Sequence, residues 1–235
     1  MTLVERATII HYHRHRIDCF GVGQVRSLGW RDAASQRKRF DAIAGAFEFD
    51  RCSVLDLGCG CGDLKAFLAA RFKDVDYLGI DQMPEFIDFA RKRYAGDPRA
   101  RFHLDDFAKV ELPRVDVVVA SGALGYRCAE AGFHLRMIER MVATAAKAVI
   151  FNVLDDSTFP DHPLLVGRDL EEVTAFCRSL SANVEQIGNY LRDDLTFVVR
   201  AGELAERKDR TAGCLAGRAG LRAIPGEALT VCVPT

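Results

Sequence analysis

The sequence predicts an α/β fold built on a largely parallel sheet, and three observations carry the prediction. An apolar run, Val54-Leu55-Asp56-Leu57, breaks at Gly58-Cys59-Gly60-Cys61-Gly62 and passes into helical spacing from Leu64, with Phe67, Leu68 and Phe72 on one stripe. Strand-like and helix-like segments then alternate as far as Leu180, the pattern of strands joined by helical crossovers. Finally, two β-rich runs, Val184 to Leu191 and Leu195 to Arg200, are separated only by Arg192-Asp193-Asp194. That link is too short for a helical crossover, so the two runs pair antiparallel.

Taken in order, residues 1–50 read as one or two helices interrupted at Gly21-Val22-Gly23, with Phe40, Ile43 and Phe47 facing inward from the second. Val75 to Ile80 reads as a strand ending at Asp81. Pro84 suits a first helical position; Phe86, Ala90 and Tyr94 share a face, and Gly96 stops the helix. Arg101 to Leu104 is a short strand leading to Asp105-Asp106-Phe107. Val115 to Ala120 is apolar almost throughout, as a parallel strand buried on both faces requires. Phe133 to Ala146 has helical spacing, Val149 to Leu154 is the next strand, and Leu170 to Leu180 a further helix. Beyond residue 201 come charged residues, then Ala and Gly, then the apolar Leu229-Thr230-Val231-Cys232-Val233.

With 235 residues, 49% hydrophobic and 28% charged, the chain has the size and composition of one well-buried domain. A net charge of −1 gives no general attraction to nucleic acid or membrane. No apolar run approaches the roughly 18 residues of a spanning helix, and Met1-Thr2-Leu3-Val4-Glu5-Arg6 lacks a basic-then-apolar signal pattern, so a cytoplasmic setting is expected. The eight cysteines include no Cys-x-x-Cys pair. They are expected to be free, mostly buried thiols rather than a zinc or disulfide framework.

The glycine loop is the most specific signal. A dinucleotide fingerprint counted from Gly58 needs a glycine at its sixth position, where Asp63 stands. The acid-x-Gly-x-Gly-x-Gly pattern of Asp56, Gly58, Gly60 and Gly62 resembles instead the first motif of the class I S-adenosylmethionine (SAM)-dependent methyltransferases. Motif order and spacing extend the resemblance over roughly residues 50–200. It implies a Rossmann-like seven-stranded sheet with a helical N-terminal lid (1–50), a SAM-binding domain (51–201) and a C-terminal extension of open role (202–235).

The resemblance also implies the cofactor, SAM, and its contacts. Gly58, Cys59, Gly60 and Gly62 form the loop it touches. Asp81, at the tip of the second strand, takes the ribose, with Gln82 and Met83 along the adenine. Asp106 matches the acid that accepts from the adenine amine, Asp105 taking its place if the register shifts by one, and Phe107 offers its backbone N–H. Asp56 holds the loop or reaches the methionine amine through water, and Ser121 lies beside the amino-acid end. Ser27-Leu28-Gly29-Trp30 with Arg39-Phe40 resembles leader helices in which the arginine pairs with the cofactor carboxylate and the aromatic walls the pocket. Asn152 and Tyr190 point toward the ligand edge of such a sheet, and with Tyr126 they are the candidate catalytic residues.

The expected reaction is in-line methyl transfer to a small molecule. The fourth strand runs into Ser121-Gly122-Ala123-Leu124-Gly125-Tyr126, not the Asn/Asp-Pro-Pro-aromatic box of base-methylating relatives, so nucleic acid is not an expected partner; nor is a membrane, and the oligomeric state is open. Two other readings keep the SAM site. In one, resembling azetidine-2-carboxylate synthases, the cofactor closes a ring on itself beside Trp30, Tyr126, Asn152 and Tyr190, releasing methylthioadenosine; the other is a non-enzymatic SAM-binding protein. No general base stands out. His11, His13 and His15 alternate; on a helix they point about 200° apart, so a solvated or lid-lining segment is expected rather than a metal site.

Overall fold

The computed structural model describes residues 1–202, so Leu229 to Val233 and nearly all of the C-terminal extension lie outside the described residues. Two leader helices precede the sheet. α1 (Leu3–Phe20) opens on a capping box between Thr2 and Glu5 and ends at Gly21, whose φ is +85°. α2 (Ala33–Ala46) opens on Asp32, capped reciprocally with Ser35.

Seven strands follow, β1 (Ser53–Leu57), β2 (Asp76–Asp81), β3 (Ala100–Leu104), β4 (Val115–Ala120), β5 (Ala145–Leu154), β6 (Val184–Leu191) and β7 (Asp194–Arg200). Between them lie α3 (Asp63–Ala69), α4 (Pro84–Arg93), α5 (Phe133–Thr144) and α6 (Leu170–Leu180). Across the sheet the strands run β3-β2-β1-β4-β5-β7-β6. The first five are parallel; β7 lies antiparallel between β5 and β6. Chain order reverses between β1 and β4, and the crevice at the carboxyl ends of these strands is where open α/β sheets bind ligands.

Alternation along each strand divides the core. Val54, Val117, Val119 and Ile150 face a cluster with Phe40 and Ile43 of α2, Leu64 and Leu68 of α3, and Ile87 and Ala90 of α4. Leu55, Val118, Val149 and Phe151 face the opposite cluster, with Met137, Ile138 and Met141 of α5 and Val173 and Cys177 of α6. A third, smaller cluster packs Ile10, Ile17 and Leu28 of the leader on Cys61, Met83 and Phe86. The leader is therefore two things: α2 belongs to the main core, whereas α1 rests on a separate patch.

The expected elements are present, with two shifts. Phe72 falls beyond α3, though it still packs on the core. β5 begins at Ala145, where a helix running to Ala146 was expected. There the Ala145 N–H still caps α5 on the Met141 carbonyl, but the residue is extended and pairs with Val115 of β4. Ladder pairing overrides the helix propensity of Ala-Ala-Lys.

Candidate functional site

The turn after β1 needs backbone that other residues resist. Gly58, Gly60 and Gly62 all have positive φ, from +54° to +78°. At two of these positions a side chain would also meet neighbouring side chains. A Cβ on Gly60 would lie 2.6 Å from Leu28 Cδ2, and one on Gly62 would lie 2.9 Å from the rings of Phe102 and Tyr94. The protein itself fills these positions, and the Leu28 contact ties the loop to the leader.

A cavity of about 290 Å³ opens at the carboxyl ends of β1, β2 and β4 under the leader. Its walls include Trp30, Arg39, Asp56, Gly58, Cys59, Gly60, Asp81, Gln82, Met83, Asp106, Phe107, Ser121, Tyr126 and Asn152. Of the expected site residues, Gly62 and Tyr190 do not line it.

The acids differ in what holds them. At the tip of β2, Asp81 accepts from the Gly60 N–H at 2.8 Å and the Met83 N–H at 2.9 Å; burial nevertheless raises its pKa. Asp56 accepts from the Tyr77 hydroxyl on one oxygen, while its other oxygen is buried with no partner. Burial, opposed by the Tyr77 bond and reinforced by the Asp81 charge, pushes its pKa up to about 7. Ser121 Oγ is likewise buried and unpartnered. After β3, Asp106 rather than the exposed Asp105 reaches the cavity. Its Oδ1 accepts from the Ala108 N–H at 3.1 Å, and its Oδ2 lies 3.2 Å from Arg6 Nη1. Arg6 Nε also donates to Gln82 Oε1 at 3.2 Å, so α1 reaches the edge expected for adenine.

Asp194, at the start of β7, gathers three of the expected residues. Arg39 donates to its Oδ2 through Nε at 2.7 Å and also through Nη2. Asn152 Nδ2 and the Tyr190 hydroxyl donate to its Oδ1 at 2.8 and 2.9 Å. Asn152 Oδ1 accepts from the Gly122 N–H at 2.7 Å. Arg39 is thus paired with Asp194, with the Trp30 ring centroid 4.4 Å from its guanidinium carbon, and both Arg39 and Trp30 line the cavity. Asp194 also holds both Asn152, which lines the cavity, and Tyr190, which does not. Sequence reasoning missed Asp194 because it sits in the short hairpin link, where an acid reads as an ordinary turn residue.

Tyr126 follows the short helical turn Ala123–Gly125 after β4. Its hydroxyl lies 2.7 Å from His13 Nε2, and His13 Nδ1 lies 3.0 Å from the Ser27 carbonyl. Of the three alternating histidines only His13 is buried; His11 and His15 are exposed on other faces of α1.

Residues 54–146 match the family model of the methyltransferase domain. The seven-stranded sheet around that match is the class I methyltransferase fold. Over 133 residues it is 28% identical to a trans-aconitate 2-methyltransferase of Acidovorax sp. (strain JS42), covering 57% of this chain and 49% of that protein. Over 111 residues it is 33% identical to a magnesium-protoporphyrin O-methyltransferase of Rhodobacter capsulatus, covering 46% of this chain and 47% of the relative. The chain thus spans about half the length of the curated relatives it matches. Among solved structures, magnesium protoporphyrin IX methyltransferase from Synechocystis PCC 6803 with bound SAM superposes with a TM-score of 0.63 at 15% identity, covering 86% of this chain and 99% of the other. The N-methyltransferase NodS from Bradyrhizobium japonicum WM9, in complex with S-adenosyl-L-homocysteine (SAH), gives 0.62 at 18% identity, covering 81% and 97%. At these identities the structural likeness establishes the fold of the methyltransferase domain. Among the described residues no helix is long and apolar enough to cross a membrane.

Proposed function

We propose that the chain is a SAM-dependent methyltransferase acting on a small molecule. One observation carries the reading: a buried carboxylate oxygen of Asp56 and the Ser121 hydroxyl stand without partners in a cavity at the strand-order reversal of a methyltransferase domain. A lone buried carboxylate with a raised pKa calls for a cation or a donor, and the ammonium of SAM meets that need. Asp81 and Asp106, at the tips of neighbouring strands, are placed for the ribose hydroxyls and the adenine amine. SAM supplies a methyl group made electrophilic by a sulfonium. The chain's residues hold that end, aim an acceptor at it and exclude water, and orientation accounts for much of the rate in such displacements. The small-molecule substrates in the relatives' names support the acceptor class. Ring closure within the cofactor would use Asn152 and Tyr190 to orient a neutral amine, but both are engaged by Asp194.

Titration of full-length protein with SAH in a calorimeter tests the reading. Binding is expected, and Asp81→Ala weakens it tenfold or more, since a charge-assisted hydrogen bond contributes about 1.5–3 kcal/mol and the Gly60 amide loses its partner. A folded Asp81→Ala variant with unchanged affinity would refute the site. Incubation with SAM alone, followed by mass analysis, separates the reactions: methylthioadenosine above the spontaneous background would select ring closure.

A further inference from the structure

We propose that Tyr126 and His13 form a proton-accepting relay on the cavity wall, selecting a methyl acceptor that carries an N–H or O–H proton over a carboxylate. The inference rests on the methyltransferase reading and deepens it.

The direction of each hydrogen bond follows from the partners. The Ser27 carbonyl can only accept, so His13 Nδ1 carries the ring proton that lies 3.0 Å from it. In the neutral ring Nε2 is then a lone pair, and the Tyr126 hydroxyl 2.7 Å away must donate to it. With its single proton engaged, Tyr126 presents only lone pairs to the cavity. An amine or hydroxyl finds an acceptor there; a carboxylate finds no donor and meets an oxygen lone pair.

His13 is held in this state from several sides. Tyr12 and Phe86 pack edge-on against its ring, and Tyr126 closes it from the β4 side. Burial, with the nearby Arg16 charge, lowers its pKa despite the Ser27 bond, so the ring is neutral at pH 7. The charged or titratable groups around the pair are Tyr12 and Arg16 on α1 and Asp81 at the tip of β2. Burial raises the Tyr126 pKa, which keeps the proton on its oxygen until a partner replaces it.

The step balances. The acceptor's lone pair forms the new bond to the methyl carbon as the methyl–sulfur bond breaks, its electron pair staying on sulfur. The acceptor's proton passes to Tyr126 Oη while the Tyr126 proton passes to His13 Nε2. The positive charge that leaves sulfur reappears on the imidazolium. Tyr126 is the catalytic residue, and His13 acts through it.

The first test needs no turnover. In full-length protein labelled with ¹⁵N-histidine, with and without SAH at pH 7, His13 is expected as the neutral Nδ1–H tautomer, with a Nε2 signal that moves in Tyr126→Phe. An Nε2–H tautomer, or an imidazolium at pH 7, overturns the relay. The second test uses SAM carrying a trideuterated methyl and three probes: benzylamine, catechol and trans-aconitate. Label is expected on the amine or the phenol and not on trans-aconitate. Label on trans-aconitate, or on none of the three while SAH binds, overturns the selection; failure of SAH to bind overturns the methyltransferase reading instead. The third test separates base from scaffold. His13→Gln still donates to Ser27 and accepts from Tyr126, but it cannot take a proton. Its kcat on the labelled probe is expected to fall about 100-fold, within the usual range for acid–base catalysis, with SAH affinity within about twofold. Tyr126→Phe is expected to show the same split, and an unchanged kcat in either folded variant refutes the relay.

Discussion

At the scale of single residues, Asp56 has the clearest consequence. Its carboxyl titrates near the ordinary aspartate value of 3.8 when unfolded and at about 7 in the folded, unliganded chain. Between those values the folded state holds a proton that the unfolded state has released. Stability therefore falls as pH rises through that window, and the full penalty applies above about pH 7. Each unit corresponds to 1.36 kcal/mol, so the penalty is a few kcal/mol at most. Asn keeps an acceptor for Tyr77 and carries no charge. Asp56→Asn is thus expected to raise Tm by several degrees at pH 8 and hardly at all at pH 4, while weakening SAH binding; a Tm difference flat across pH would mean that Asp56 is already ionised in the folded chain. Asp56, Asp81 and Asp106 were legible in the sequence because each stands where an apolar strand gives way to a turn, and strand tips are where such sheets bind ligands. His13 and Asp194 were not. Each has its telling contacts with residues far away in sequence, Tyr126 for the one and Arg39 and Asn152 for the other.

At the scale of elements, the loop from Gly58 to Gly62 was legible as a strand-to-helix turn, but the reason for its glycines was not. Positive φ shows in the sequence as glycine; what a Cβ would strike does not. At Gly60 two costs add, φ at +54° and a clash with Leu28. The first is about 1–2 kcal/mol for a residue forced left-handed, and the second depends on how far Leu28 yields. Gly60→Ala and Leu28→Ala therefore couple. The double variant is expected to lose less stability than the two single losses added, by about 0.5 kcal/mol or more, as residues in contact do. Strict additivity in thermal or urea unfolding would show that the Cβ does not meet Leu28. Gly60→Val, β-branched at positive φ, is expected to be worse than Ala by a further margin. The shifted start of β5 has a similar origin: its alanines favour helix locally, and only the neighbouring strand decides otherwise.

At the scale of the whole molecule, the described residues divide into a sheet with its helices and a leader segment held more lightly. The resemblance implied one helical lid over residues 1–50. The structure instead places α2 in the main core through Phe40 and Ile43 and leaves only α1 and the turn after it as a cover. That cover rests on a small apolar patch and on polar contacts: Glu5 to the Ala129 N–H, Arg6 to Asp106 and Gln82, and Arg14 to Glu85. Partly exposed ion pairs contribute little each and weaken in salt, so α1 should open locally far more readily than the sheet unfolds. Hydrogen exchange on the full chain is expected to label α1 amides before those of β1 and β4, with SAH slowing α1 most. Removing residues 1–31 is then expected to leave a folded domain, since Asp32 still caps α2. SAH affinity should nevertheless fall tenfold or more, because Ile9, Leu28 and Trp30 leave the cavity wall; about 100 Å² of lost apolar cover corresponds to roughly 2.5 kcal/mol. Turnover should fall further than affinity, since His13 leaves with the same segment. If α1 and the central strands exchange at one rate, or the truncated domain binds SAH as tightly as the full chain, then α1 is not the cover of this cavity.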